Sequence, residues 1–405
     1  MSKHRVEEMP KLWTRSFTLL VIGNLFVFMS FQMLLPTLPP QIKAYGATEL
    51  EVGLVTSLFC IAAVLIRPFI GFILESSKRK KLVLVGALSL LAITTLYSLT
   101  SAVVLFLFIR FIHGIAWGWS TTANGTAAVE LVPEKRLGEG LGYFGLSMTI
   151  GMIIAPSLGI LLYQTLGFQE LVIGSTILGT IAFLLLASIS YSTPESVLSK
   201  DRNWKEFSLL KSTIDRHGRF PAIITLIASF GYGSIVTFIL IFAVERDINE
   251  AFLFYLCNAV MATIARPFVG KRFDRKGPYL LVFVCSFLTI IGFFLLSYTY
   301  SVGLLIISGL FIGAGFGSLM PILQSWVLQK TPKERRGVAN GMFYSSIDLG
   351  LGISGIVFGF LSTFFSIGAL FQISTICFAV VMVLTWYDFR VTKKQVLPNK
   401  ASLTS

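Results

Sequence analysis

Three histidines (His4, His113 and His217) are all that the 405 residues contain, and charged residues make up only 13%. Two of the three sit in polar segments, so no catalytic triad or metal cluster can be assembled, which argues against a membrane enzyme. Cysteine is also scarce. Cys60, Cys257, Cys285 and Cys377 all fall inside long apolar runs without metal-site spacing, and read as packing residues. No metal or cofactor is implied. Long outer loops are missing too: around Thr100-Ser101 and Tyr300-Ser301 the connection is barely a turn. That leaves no room for a sensory or catalytic domain outside the apolar body. A cleavable leader is not expected, because the first apolar block is too long and lacks a small-residue cleavage site.

What is abundant is apolar sequence: 55% of residues are hydrophobic and the mean hydropathy is +0.79. It falls in twelve blocks of the length a helix needs to cross a bilayer: about 17–38, 52–74, 81–101, 103–127, 139–163, 168–190, 220–244, 250–270, 278–299, 302–327, 338–362 and 365–387. The short polar/apolar alternation of barrel strands is absent. The net charge of +13 invites a nucleic-acid partner, but its distribution excludes one. Of the 33 Lys and Arg residues, 28 lie in the termini and in alternate loops on one side, against Lys43 and Arg246 on the other. This positive-inside pattern predicts a multi-pass protein of the cell membrane with both termini cytoplasmic.

The chain also repeats itself at an offset of 199 residues. Arg67-Pro68-Phe69 returns as Arg266-Pro267-Phe268, and Pro133, Arg136, Gly138, Gly142, Phe144, Ser147 and Gly151 return as Pro332, Arg335, Gly337, Gly341, Phe343, Ser346 and Gly350. So long a period means a duplicated architecture, which in membrane proteins signals a transporter with its site between the halves. The longest polar connection divides the chain into 1–191, a central loop 192–219, and 220–405 with a polar tail from Phe389.

Between the second and third spans stands Gly71-x3-Glu75-x3-Arg79, and between the eighth and ninth Gly270-x3-Asp274-Arg275-x-Gly277. These resemble the loop signature of the major facilitator superfamily, the first copy departing more, with Glu75 for Asp and Ser76 for Arg. The resemblance implies an all-α integral membrane fold with twelve transmembrane helices in two pseudo-symmetric six-helix bundles. It places the Glu75 carboxylate near the start of the eleventh span and Asp274 near that of the fifth, where a helix dipole favours negative charge. Arg110-Phe-Ile-His113-Gly114 resembles the family's Arg-x-x-Gln-Gly pattern, with His113 in place of Gln. Gly151-x3-Ala155-Pro156-x2-Gly159 resembles the antiporter signature of proton-driven exporters. There it would give a pliable contact between halves, whereas its bland reading is helix packing.

An ionisable group in a span is functional by default. Asp348 is the one acid expected deep in the membrane, and its repeat counterpart is Thr149. Low dielectric favours the neutral form of a carboxyl group, which suits reversible protonation. Asp348 is either the proton site, with Arg110 biasing the field and His113 and Glu130 in reserve, or a hydrogen-bonded structural residue. Arg67 and Arg266 pair in a gate or snorkel. The family resemblance puts the cavity between spans one, four, seven and ten, with Asn24, Phe28, Phe31, Gln32, Trp117, Tyr232 and Gln324 as its lining. Aromatic walls suit a moderately apolar small molecule. The expectation is a monomeric secondary transporter exporting such a molecule in exchange for protons. A proton-coupled importer or a metabolite exporter of the same fold is the alternative. Two matches are discarded. Gly350-x-Gly352-x-x-Gly355 fits a dinucleotide pattern but has no strand before it, and Asn124-Gly125-Thr126 fits a glycosylation site but lies inside a span.

Overall fold

In a bilayer every backbone N–H and C=O must be satisfied within its own segment, so apolar runs of this length fold as helices. The computed structural model describes residues 11–74, 78–133, 136–191, 214–332 and 336–401. Within its helices, the side chains at 137, 138, 266, 267, 270, 271, 274, 336, 337 and 392–401 lie outside the description. The helices are α1 (Arg15–Leu34), α2 (Leu38–Ala44), α3 (Glu49–Leu74), α4 (Arg79–Leu96), α5 (Val103–Leu131), α6 (Leu137–Thr165) and α7 (Phe168–Ala187). After the central segment come α8 (Arg219–Glu245), α9 (Phe252–Lys276), α10 (Tyr279–Ser297), α11 (Val302–Lys330), α12 (Arg336–Leu361) and α13 (Ile367–Ala401). No strand occurs among the described residues.

Three details depart from the sequence reading. The first span is not continuous: α1 stops at Leu34 and α2 resumes at Leu38, because Pro36, Pro39 and Pro40 cannot donate backbone hydrogen bonds. Among the described residues eleven helical stretches are long and apolar enough to span a membrane, whereas α9 has only Phe252–Ala265 as its apolar part and then runs on as a polar helix to Lys276. The tail expected to leave the last span at Phe389 continues as helix to Ala401. Outward-facing side chains are largely apolar, with Leu88, Leu184, Phe268, Phe287, Ile376 and Val383 exposed. In water such a surface would aggregate, but lipid solvates it.

The two six-helix groups pack by the same scheme. In the first, α1 lies against α6 and α7, α3 against α5, and α4 against α5 and α7. In the second, α8 lies against α12 and α13, α9 against α11, and α10 against α11 and α13. The repeat is visible at atomic detail. A Cβ added at Gly114 in α5 would overlap the Phe59 carbonyl oxygen of α3, and one at Gly313 in α11 would overlap the Asn258 carbonyl oxygen of α9. Corresponding members of the two pairs are separated by the 199-residue offset. Between the groups, α3 meets α12 and α6 meets α9, two contacts exchanged by the same pseudo-twofold. Arg79, Lys276 and Lys330 stand at helix ends on one side, here the basic end, and the opposite one, with Lys43 and Arg246, is the far end.

Gly114→Val and Gly313→Val should each force apart a helix pair inside its own group, costing about 1–3 kcal/mol as overpacked sites do. The readout is the midpoint of heat-induced aggregation in detergent. Gly145→Ala, where an added Cβ meets nothing within 4 Å, should leave it unchanged or raise it.

Candidate functional site

The α3–α12 crossing divides into three zones along one face of α12. Toward the far end the helices touch backbone to backbone. A Cβ on Gly53 would overlap the Gly355 carbonyl oxygen and lie 2.9 Å from the Gly359 Cα, and one on Gly352 would lie 3.0 Å from the Cys60 Cβ. Polar contacts reinforce this seal: Thr56 of α3 and Thr237 of α8 are 3.1 Å apart, and Lys43 of α2 reaches Glu49 at 2.8 Å and Glu245 at 4.0 Å. Toward the basic end the same faces look into open space among the described residues, since there a Cβ on Gly71 of α3 or Gly341 of α12 would meet nothing within 4 Å. At the boundary Arg67 Nη2 donates to Asp348 Oδ2 at 2.7 Å.

Helix periodicity builds this arrangement. Gly341, Asp348, Gly352, Gly355 and Gly359 recur at intervals of three, four or seven and so share one face. Gly71 stands one turn beyond Arg67 on the α3 face that looks back at them. The pair is nearly enclosed, with 15% and 12% side-chain exposure for Arg67 and Asp348. Its use of hydrogen-bonding capacity is incomplete, because the buried Arg67 Nε has no hydrogen-bond partner. Tyr344, one turn from Asp348 on α12, lies within electrostatic range of Arg67. Gln324 of α11 donates to Asn340 Oδ1 at 2.8 Å and to the Tyr344 hydroxyl at 3.4 Å, which extends the polar patch toward the basic end.

The other expected site residues fall elsewhere. Arg110 is fully buried in the first group. Its Nε donates to the Val55 carbonyl at 2.8 Å, and its guanidinium lies 4.1 Å from the Phe59 ring centroid and 5.8 Å from that of Phe31. His113 is equally buried, edge-on to Phe31 and Phe59, with Nδ1 3.2 Å from the Tyr97 hydroxyl. The expected stripe is therefore packed under aromatic rings, away from the opening. Phe31 stacks on Trp117 at 4.0 Å and on Phe59 at 4.9 Å, and Phe28 meets Trp117 at 4.9 Å. Asn24 donates to Ser147 at 3.2 Å and accepts from Asn124 at 3.4 Å, a buried seam joining α1, α5 and α6. Gln32 is buried as well. In the second group Tyr232 stacks flat on Phe316 at 3.9 Å and hydrogen-bonds Asn258.

The signature residues divide similarly. Gly151 of α6 would put a Cβ 2.7 Å from the Phe28 Cβ, and Gly159 would overlap the Met33 carbonyl. With Pro156 between them, they fit α6 onto α1 of their own half, so these glycines are not the contact between halves. Arg79 holds the basic end of α3 to α5, donating to the Leu74 carbonyl and, at 2.7 Å, to Glu130. Arg275 is exposed, and Gly277 ends α9 at φ +70°, a turn that favours glycine. Glu75 and the side chains of Gly270, Asp274 and Arg266 lie outside the described residues.

Arg67 is expected from the sequence to pair in a gate or to snorkel, but Asp348 is not expected as its partner. The signal was available: a deep arginine in one half and the sole deep acid in the other, each too costly to bury alone. The α12 glycines were visible too, but only as a discarded nucleotide pattern.

The sequence profile of the Major Facilitator Superfamily matches residues 20–351 and 281–403. An uncharacterized transporter of this type from Methanocaldococcus jannaschii is 26% identical over 391 residues, 93% of this chain and 96% of that one. The multidrug resistance protein MdtG of Enterobacter lignolyticus is 23% identical over 403 residues, 96% of each chain. The crystal structure of the nucleoside transporter NupG superposes with a TM-score of 0.71 at 16% identity, covering 94% of this chain and 100% of that one. The chain belongs to the Major Facilitator Superfamily, and is a multi-pass membrane transporter and not an enzyme.

Cys60 reports on the seal, being 2% exposed beneath Gly352. With Cys257, Cys285 and Cys377 replaced by serine, maleimide labelling of Cys60 in detergent should be slow. Gly355→Leu, which cannot close against Gly53, should speed it about tenfold for each 1.4 kcal/mol by which the open form gains. Unchanged labelling would mean that this crossing does not separate.

Proposed function

We propose that this member of the superfamily exports a small, moderately apolar molecule in exchange for protons, with the Arg67–Asp348 pair as the element that both ligands must release. The observation that carries this reading is the position of the pair. It joins the halves at the boundary between the closed far end and the open basic end. An exchanger must prevent its empty form from reorienting, or the proton gradient leaks. An ion pair across the moving interface supplies that restraint, because separating the helices would strand two charges in low dielectric, and removing one partner of such a pair costs roughly 3–5 kcal/mol. Protonating Asp348 removes the restraint, and so does a substrate that engages the pair. Both loaded forms can then reorient, whereas the empty one is held.

The halves 1–191 and 220–405, joined through 192–219, act as the rocking bodies around this point. The positive-inside distribution supports a cytoplasmic basic end, and with it access of cytoplasmic substrate to the pair. Export is further supported by the name of the multidrug resistance relative and by the antiporter-like sequence of α6. Arg110 and His113, enclosed among aromatic rings, hold the first half rigid. Gln324, Tyr344 and Asn340 line the approach to the pair. The protein works as a monomer.

In inverted vesicles, imposing a proton gradient should drive substrate uptake against its own gradient. Asp348→Asn should abolish that uphill component while leaving downhill exchange measurable. An Asp348→Asn variant that still concentrates substrate like the wild type would move the proton site elsewhere. Wild-type transport indifferent to the gradient would remove the exchange reading altogether.

A further inference from the structure

We propose that the transported molecule is a zwitterion whose carboxylate takes Arg67 and whose ammonium takes Asp348. This rests on the reading of the pair as the point where substrate and proton act. Among the described residues deep in the spans, Arg67 and Asp348 are the charges at the edge of the open space, whereas Arg110 is sealed beneath Phe59 and Phe31. A ligand that engages the pair must therefore satisfy one positive and one negative group together.

The four charge classes then separate on electrostatics alone. A cation pairs with Asp348 and leaves Arg67 stranded in low dielectric beside it. An anion pairs with Arg67 and strands Asp348 unless a proton arrives with it, which would couple the two fluxes in the same direction instead of opposing them. A neutral molecule leaves the pair closed and has no purchase on it. A zwitterion replaces both partners, leaves no charge unpaired, and cannot share Asp348 with a proton. Mutual exclusion of substrate and proton is what exchange requires.

Local geometry favours the same class. The Arg67–Asp348 bond is single, through Nη2 and Oδ2, and the buried Arg67 Nε is unused. A substrate carboxylate approaching side-on can accept from Nε and Nη2 together, gaining a bond that Asp348 does not provide. The Tyr344 hydroxyl and the Gln324 and Asn340 amides, on the open side, offer hydrogen bonds to the rest of a polar head group.

The test uses the full-length protein in detergent and measures ligand-induced thermal protection at one pH. The probes are aromatic and aliphatic amino acids and dipeptides, each as the free zwitterion, the methyl ester (cation), the N-acetyl form (anion) and the N-acetyl methyl ester (neutral). Zwitterions should protect at concentrations about tenfold or more below the other three forms of the same scaffold. Arg67→Gln should shift the preference to the ester, and Asp348→Asn to the N-acetyl form. The double variant, which strands no charge and so keeps the fold testable, should favour the neutral form. Protection by a cation or anion equal to that by the zwitterion, protection by none of the probes, or an unchanged ranking in the double variant overturns the proposal. Because the ranking is read without a gradient, its failure is distinct from failure of coupling. Loss of uphill transport in Asp348→Asn with no zwitterion preference leaves exchange standing and removes only the substrate class.

Discussion

A charge in the middle of a bilayer has to be paired, hidden or neutralised, and this protein's working parts follow from how it meets that constraint. Arg110 is hidden: a carbonyl takes its Nε and aromatic faces cover the guanidinium. Arg79 is paired with Glu130 where the helices leave the membrane. Arg67 and Asp348 are paired with each other, but across the two halves, which separate in the proposed cycle. The first two solutions are permanent. The third holds only while nothing else offers either charge a partner, which makes it the natural control point of the fold.

The duplicated scaffold does not duplicate this device. The face of α12 that carries Asp348, Gly352, Gly355 and Gly359 corresponds, at the 199-residue offset, to Thr149, Ile153, Pro156 and Ile160 on α6. Both helices cross the opposite half, α12 on α3 and α6 on α9, yet the glycine seal and the carboxylate belong to α12 alone. Pseudo-symmetry thus builds two similar bodies, and departures from it decide which crossing carries the restraint. A substrate bound at the α3–α12 crossing sits off the pseudo-twofold axis, and so meets one arginine and one aspartate instead of a symmetric pair of like groups.

Sequence alone revealed the architecture because bilayer physics imposes a length and a charge asymmetry that show in a bare string of residues. The span breaks at Pro36 and Pro39 and the polar extension of α9 were legible in principle, since proline and the run from Arg266 to Lys276 are visible there. The site was less legible for a specific reason. Spacing within one helix shows which residues share a face, but not which helix that face meets. Arg110, His113 and Trp117 do share a face, yet it packs inward against α1 and α3. Asp348 was singled out by scarcity, and its partner came from a helix far away in sequence, where no periodicity could point to it.

Permanent and reversible contacts are distinguished by their chemistry, and α3 carries both. Toward α5 it is notched: Gly114 and Gly118 admit the backbone of Phe59 and Ala63, and Arg110 anchors the Val55 carbonyl. These contacts are dry and close, so parting them would leave buried groups without partners and empty space that lipid or water fills poorly. Toward α12 and α8 the contacts are glycine backbone, a threonine pair, the Lys43–Glu49–Glu245 cluster and the Arg67–Asp348 pair. Water can satisfy the backbone, threonine, lysine and glutamate groups when the surfaces part, so separation exchanges their partners, whereas the two charges of the Arg67–Asp348 pair would be stranded in low dielectric. In the proposed cycle the helix therefore moves with the first half and slides or opens against the second. In the exchange proposed above, the ionic member of this set at the edge of the open space, Arg67–Asp348, is the one released by a proton or by the substrate itself.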